Sequence, residues 1–316
     1  MSKVALVTGA SGFAGSYLSE YLKSQGWDVR RAVNPDAAED VDAFPCDITD
    51  ADRVRRLVKW ACDATHVFHL AAVTFVPFSS RNPADTMAVN VEGTILLASA
   101  LREVNAAARM VFVGSAAVYG IPESLPITES HRISPREPYA ISKAAADAYC
   151  EYLSRGENVD IVRARPFNHS GPGQPETFVL SSFAKQIADI EAGRAEPVIH
   201  VGNIDTARDF LHVSDVVRAY ELLALKGVVG EAYNICSGRA HTVRDALDML
   251  LGQSKASISV RVDPDRLRAV DIPVVYGSHE RLTQCTGWTP SVTFEEMLMD
   301  LLAYWRREGC APGKAL

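Results

Sequence analysis

The sequence has no excess of basic charge, no paired cysteines and no long apolar run, and each absence removes a class of function. Its 32 lysines and arginines stand against 39 aspartates and glutamates, a net charge of −7. That balance argues against a dominant nucleic-acid surface, and no block of like charge marks a tail. The six cysteines (Cys46, Cys62, Cys150, Cys236, Cys285, Cys310) are scattered, with no CxxC pair. Cys62 has His66 and His69 nearby, but both histidines fall in a predicted buried strand and no second cysteine joins them. Reduced, mostly packed thiols are therefore expected, with no disulfide frame and no metal. His169, His200 and His212 form no HxxxH pair either. Nowhere do about 18 apolar residues run together, so no membrane span is expected. The opening MSKVALVTGAS shows no basic segment followed by a cleavable apolar stretch, and the expected compartment is the cytoplasm.

What is present is an alternating pattern. Val4–Thr8 is an apolar run ending at a glycine turn, a helical stretch follows over 12–24, and a second run covers Asp28–Val33. Residues 66–71 and Arg109–Val113 look like further buried strands; 87–103 and 137–155 look like long helices. Strand–helix alternation of this kind predicts a Rossmann-type, doubly wound parallel sheet, an α/β fold. From Arg165 the texture changes. RPFNHSGPGQP should be loop, 179–192 and 213–225 helices, 230–236 a strand, and the remainder a smaller mixed α/β lobe. The expected division is a dinucleotide-binding domain over 1–165, with return segments around 205–235, interleaved with a substrate-binding lobe over 166–316.

The run VALVTGASGFAG places Gly9, Gly12 and Gly15 directly after a strand and at the start of a helix. Gly9 permits the tight turn, Gly12 lets backbone amides approach a pyrophosphate, and Gly15 lets the helix pack on the strand. The anion then lies at a helix N-terminus, where unpaired N–H groups favour negative charge. Ser11, Phe13 and Ala14 complete the turn. An NAD site usually carries an acidic residue about 20 positions further on. Here the second strand ends Arg30-Arg31-Ala32-Val33-Asn34, without a carboxylate at its tip, although Asp36 is close. Arg30 or Arg31, the latter with Asn34, suits a 2′-phosphate, and either arginine fits a solvated strand position equally well; the reading leans to NADP over NAD.

Ser115 follows a buried strand, and Tyr139 and Lys143 stand four apart in a predicted helix, on one face. Hydride transfer to or from a carbonyl needs a proton relay at the oxygen. Lowering a phenol from a pKa near ~10 towards neutrality takes roughly 4 kcal/mol, which the Lys143 charge and an oxidised nicotinamide ring are expected to supply. Ser115 would hydrogen-bond the reacting oxygen.

TGASGFAG, CDITD, HLAA, NVEGT, SAAVYG, YAISK and RPFNHSGPGQ, in this order, resemble the extended short-chain dehydrogenase/reductase family over almost the whole chain. RPFNHSGPGQ, GNIDTARDFLHVSD and YNICSG are similar, more narrowly, to its GDP-mannose 4,6-dehydratase and GDP-4-keto-6-deoxy-D-mannose reductase group. The resemblance implies that Asp47 and Ile48 lie by the adenine, and Leu70, Ala71 and Ala72 along the cofactor. It implies a GDP-linked sugar substrate, with Thr74 and Ser79 towards the hexose and Asn168 against the sugar nucleotide. Arg208 and Arg268 would hold phosphates or ribose, since a guanidinium fork matches phosphate oxygens; surface charge is the plainer reading of both. Phe75, Phe78 and Phe178 line the pocket or simply pack in the core.

Dehydratases of the group resemble one another in carrying a glutamate two residues after the catalytic Ser or Thr, where this chain has Ala117. A 4-ketoreductase needs only Ser115, Tyr139, Lys143 and a hydride donor, so reduction of a GDP-4-keto-6-deoxyhexose is expected. Glu123 and Glu129, in the following loop, leave a dehydratase open. A 4-epimerase with tightly held NAD uses the same triad, and a non-catalytic nucleotide sensor would usually have lost Tyr139 or Lys143. The helices at 87–103 and 137–155 resemble those forming a four-helix homodimer interface in the family, with Ala144, Ala145, Ala146 and Ala148 allowing close approach.

Overall fold

A computed structural model describes residues 3–37, 42–266 and 272–308; Arg268 and Cys310 lie outside the described residues. Among these, six strands in the first half are β1 (Val4–Thr8), β2 (Asp28–Val33), β3 (Ala43–Pro45), β4 (His66–His69), β5 (Arg109–Val113) and β6 (Ile161–Pro166). Short strands β7 (Asn168–Ser170), β8 (Val198–Val201), β9 (Ala207–Arg208) and β10 (Phe210–His212) follow, and then β11 (Ala232–Ile235). The main sheet runs β11-β6-β5-β4-β1-β2-β3, every neighbouring pair parallel.

All five residues of β1 are buried, as a strand covered on both faces requires. Alternate residues point to opposite faces. Ala5 and Val7 join Leu18, Leu22, Val216 and Leu223 of the helices Phe13–Ser24 and Val213–Lys226. Val4 and Leu6 join Leu57, Leu97 and Leu153 of Ala51–Trp60, Gly93–Val104 and Pro138–Gly156. The sheet is thus doubly wound. Strand order reverses between β1 and β4, and a crevice at such a switch point is where this architecture binds ligands.

A separate core in the second half unites Leu180, Phe183 and Ile187 with Leu247, Leu250, Leu298 and Leu301, from the helices Val179–Glu191, Val243–Gly252 and Phe294–Glu308. Among the described residues no helix is long and apolar enough to cross a membrane.

Three sequence expectations need correction. The run 66–71 leaves the sheet at His69, because Leu70 and Ala71 turn across the glycine loop. The stretch 87–103 is not one regular helix: Pro83–Met87 passes through a π turn at Ala88–Glu92 into Gly93–Val104. That turn carries buried Asn90, whose amide is bonded to the loop after β4. RPFNHSGPGQP is not all loop, since β7 pairs with β10.

Candidate active site

The helix Pro138–Gly156 opens on a proline, whose missing N–H costs nothing there, and is capped by Glu137. The Glu137 carboxylate accepts from Tyr139 N at 3.0 Å and Ala140 N at 2.9 Å. One turn on, Lys143 is only 4% exposed. Its Nζ donates to Val113 O at 2.9 Å, at the carboxyl end of β5, and lies 5.5 Å from the Phe112 ring centre. Burial brings its pKa down to about 8.

Ser115, also buried, caps the short turn Ala116–Tyr119 and accepts from Ala117 N at 3.1 Å. The structure brings Ser115, Tyr139 and Lys143 together at one end of the sheet. Among the protein's own groups the balance at Tyr139 runs upward. Burial raises the phenol above its ordinary value, a hydrogen bond with Ser115 lowers it, and the Glu137 charge raises it again. The Lys143 ammonium places one of its three N–H donors on Val113 O, which anchors its charge beside the site.

The glycine turn is built for close approach. Gly9 has φ +70°, and a Cβ there would stand 2.7 Å from Ala71 N, so β1 and the loop after β4 nearly touch at the switch point. A Cβ on Gly15 would stand 2.1 Å from Gly9 O, which fixes the helix against the strand. Around exposed Gly12 a Cβ would meet only Gly9 O, at 3.2 Å, leaving its outer side open to a ligand. Ser11 is exposed; Phe13 and Ala14 are half-buried. Phe13 stacks on His169, with ring centres 6.1 Å apart.

At the tip of β2 the two arginines part company. Arg30 is held by Asp28 at 2.8 Å and Asp63 at 2.9 Å, whereas Arg31 and exposed Asn34 flank the turn at the strand's end. Asp47 is exposed and accepts from Thr49 N and Oγ1. Ile48 is buried against Gly93, where a Cβ would come within 2.8 Å of it. Leu70, Ala71 and Ala72 are half-buried in the crevice wall.

On the substrate side, Thr74 and Asn168 are exposed. Arg208 is half-buried and donates to Ile272 O at 2.7 Å. Ser79 is fully buried, its Oγ without a hydrogen-bond partner among the described residues. Phe75 packs edge-on against Phe178, while Phe78 is exposed. Cys46, Cys150 and Cys236 are buried, Cys285 is half-buried and Cys62 is exposed. No group of residues able to hold a metal exists among the described residues.

Sequence reasoning missed the supports. His69 is wedged between Thr8 Oγ1 (2.8 Å) and Thr94 Oγ1 (3.0 Å); burial and then Lys143 hold its pKa down to about 3, so it is neutral. Asn90 ties Val73 to Ser142 of the catalytic helix. Asp147 receives Arg165 Nε at 3.0 Å and is also paired with Arg163; Arg165 reaches Tyr119, and Tyr119 reaches Asn234. Glu129 accepts from Asn234 N at 2.8 Å and its side chain is 5% exposed beside Arg281. Nothing in the spacing of these residues announced such partners; only Asp147, four beyond Lys143, shares the helix face of the site.

Known proteins are similar to this chain over nearly its whole length. The family model described as GDP-mannose 4,6 dehydratase matches residues 6–301. GDP-6-deoxy-D-mannose reductase of Pseudomonas aeruginosa is 38% identical, over 96% of this chain and 98% of its own. UDP-glucose 4-epimerase of Mycolicibacterium smegmatis is 30% identical, over 96% and 98%. Among solved structures, RMD from Pseudomonas aeruginosa complexed with NADPH superposes with TM-score 0.88 at 35% identity, covering 97% of this chain and 100% of that one. With a match spanning nearly its whole length, the chain belongs to the GDP-mannose 4,6-dehydratase family.

Proposed function

We propose that the protein is an NAD(P)H-dependent 4-ketoreductase of a GDP-4-keto-6-deoxyhexose. The observation that carries this reading is a complete Ser115–Tyr139–Lys143 set with Ala117, a residue without a carboxylate, two positions after Ser115. Glu129, the one nearby acid that leaves dehydration open besides exposed Glu123, is already engaged by Asn234 and Arg281. The Pseudomonas reductase at 38% identity supports the same reaction, and the NADPH in the Pseudomonas structure supports NADP over NAD.

The glycine cradle fits a dinucleotide: Gly9, Ser11, Gly12, Phe13, Ala14 and Gly15 would hold the pyrophosphate, and Arg31 with Asn34 a 2′-phosphate. Asp47 and Ile48 would flank the adenine; Leu70, Ala71, Ala72 and Lys143 would line the rest. When bound, the dihydronicotinamide supplies hydride to sugar C4. Ser115 Oγ holds the C4 oxygen and Tyr139 Oη gives it a proton, so that a C–H and an O–H bond form as the carbonyl π bond breaks. Solvent then returns a proton to the Tyr139 phenolate, which the Lys143 ammonium stabilises. Thr74, Ser79, Asn168, Arg208 and Arg268 are the proposed substrate contacts, with the sheet over 1–165 and its returns as cofactor domain and 166–316 as the sugar-nucleotide lobe.

The same reading includes a homodimer. Ile141, Ala145, Ala148 and Tyr152 form an exposed stripe along the catalytic helix, at helical spacing and with two small residues that permit close approach. A cytoplasmic location fits the free thiols at Cys46, Cys62, Cys150, Cys236 and Cys285. The deciding experiment incubates the protein with GDP-4-keto-6-deoxymannose and each reduced coenzyme and follows nicotinamide absorbance. Coenzyme consumption with a reduced sugar is expected, fastest with NADPH. An epimerised product without net coenzyme loss would overturn the proposal.

A further inference from the structure

A buried chain of hydrogen bonds runs beneath the crevice, and its partners fix the direction of each bond. Thr94 Oγ1 donates to Asn90 O at 2.7 Å, and a carbonyl only accepts. The Thr94 hydrogen is thus committed, so the same oxygen accepts from His69 Nε2, at 3.0 Å, and Nε2 carries the ring hydrogen. On the other side of the ring, Thr8 Oγ1 lies 2.8 Å from His69 Nδ1 and accepts from Ala71 N at 3.3 Å. Its own hydrogen finds no other acceptor among the described residues and goes to Nδ1. A doubly protonated ring would leave that hydrogen stranded and set a second cation near Lys143, which burial also opposes.

The chain therefore runs from Ala71 through Thr8, His69 and Thr94 to Asn90. There it meets a second one: Asn90 Nδ2 donates to Ser142 Oγ at 2.8 Å, and Ser142 Oγ to Tyr139 O at 2.8 Å. Thr8, His69, Thr94, Asn90 and Ser142 are all buried, where a lost partner is not replaced by solvent. At its upper end Ala71 N stands where a Cβ on Gly9 would come within 2.7 Å. The wall Leu70–Ala72 is thus confined by the glycine turn on one side and held from below by the ring.

We propose that His69, as its Nε2–H tautomer, is a positioning residue that seats the coenzyme wall Leu70–Ala72 and ties it to the helix bearing Tyr139. This rests on the coenzyme placement of the ketoreductase reading. With the chain cut, the wall populates other positions, and apparent coenzyme affinity falls in proportion to the fraction that stays seated.

The test uses the full-length protein with nitrogen-15 in its histidine rings, the His69 signals assigned through His69→Gln. In the coenzyme-free parent, Nε2 is expected to resonate as the protonated nitrogen and Nδ1 as the lone-pair nitrogen. Thr94→Val keeps the shape and removes the hydroxyl; Thr94→Ser keeps the hydroxyl and removes a methyl group. NADPH binding, followed by its fluorescence, should weaken about tenfold in Thr94→Val. Its kcat should fall as well, with KM for GDP-4-keto-6-deoxymannose unchanged. Thr94→Ser should melt below the parent yet bind NADPH as the parent does, which separates seating from stability. Hydrogen on Nδ1 in the parent, or parent-like NADPH affinity in a folded Thr94→Val, would overturn the proposal. If Thr94→Val does not fold, the ring nitrogens of the parent decide: hydrogen on Nε2 supports it and hydrogen on Nδ1 defeats it. Failure of the ketoreductase reading would show separately, as no coenzyme oxidation by the parent, and leaves the tautomer and the NADPH titration intact.

Discussion

At the residue scale the site depends on two side chains held in opposite ways. Tyr139 reaches the crevice from the first turn of its helix, with Ser115 as hydrogen-bond partner. Replacing it with Phe removes the proton relay and leaves the packing, so turnover should fall by about 10²–10⁴-fold with little change in melting temperature. Steady-state rates and a thermal melt on the same sample check both halves; full turnover in Tyr139→Phe would contradict the relay. Lys143 is an ammonium in a dry place. Its folded pKa of about 8 lies below the ordinary 10.5, so the unfolded chain binds more protons between those values. The penalty is fully present below pH 8, roughly 3 kcal/mol, and fades as the pH rises towards 10.5. Losing the bond to Val113 O offsets only about 1 kcal/mol. Lys143→Met should therefore abolish turnover while raising the melting temperature at neutral pH, a gain that shrinks in alkaline buffer.

At the scale of elements, two joints set the geometry. The first is the glycine turn against its own helix. A methyl group at Gly15 would lie 2.1 Å from Gly9 O, and backbone cannot step aside as a flexible side chain can. Gly15→Ala should lose coenzyme binding by at least about tenfold, since the turn and the helix N-terminus must part; titration of NADPH fluorescence measures it. The second is the clamp from Asp147 to Arg163 and Arg165, which joins the catalytic helix to β6. A Cβ on Gly114 would stand 3.5 Å from Asp147 Oδ1, so the clamp also lies under the segment leading to Ser115. Asp147→Asn would leave two arginines buried beside a neutral amide, at a cost of about 3–5 kcal/mol. A lower midpoint in urea is expected, with kcat reduced more than KM changes.

At the scale of the whole molecule, the catalytic helix presents an exposed stripe that carries two large side chains. Ile141 is 42% exposed and Tyr152 55%, on the same side of the catalytic helix as Ala145 and Ala148. Two opposed helices meeting through that stripe would seal it. Ala145→Arg combined with Ala148→Arg should give a monomeric mass by light scattering at micromolar concentration, where the parent gives twice that mass. A parent that is already monomeric would remove the homodimer from the reading.

The fold was legible because its signals are local. A five-residue apolar run before three spaced glycines is enough to place β1, the turn and the first helix, since the turn geometry admits little else there. Tyr139 and Lys143 were legible once the glycine turn upstream and Ser115 after a strand joined the helical periodicity that puts them on one face. Corrections arose wherever a side chain was recruited from far along the chain. Asn90 bends its helix through a π turn to serve the loop after β4, and Asn168–Ser170 becomes a strand only because Phe210–His212 arrives beside it. Spacing cannot report a partner forty residues away.

The sequence by itself determined the doubly wound sheet, the glycine turn at its switch point and the placing of Tyr139 and Lys143 on one helix face, because each follows from backbone sterics and periodicity within a short window. Only the tertiary structure decided their charge states and what supports them. It is burial among distant segments that drives Lys143 down and Tyr139 up, brings Glu129 to Asn234, and locks Asp147 between two arginines. Desolvation and ion pairing depend on what surrounds a group in three dimensions, and that is settled only when the chain has folded.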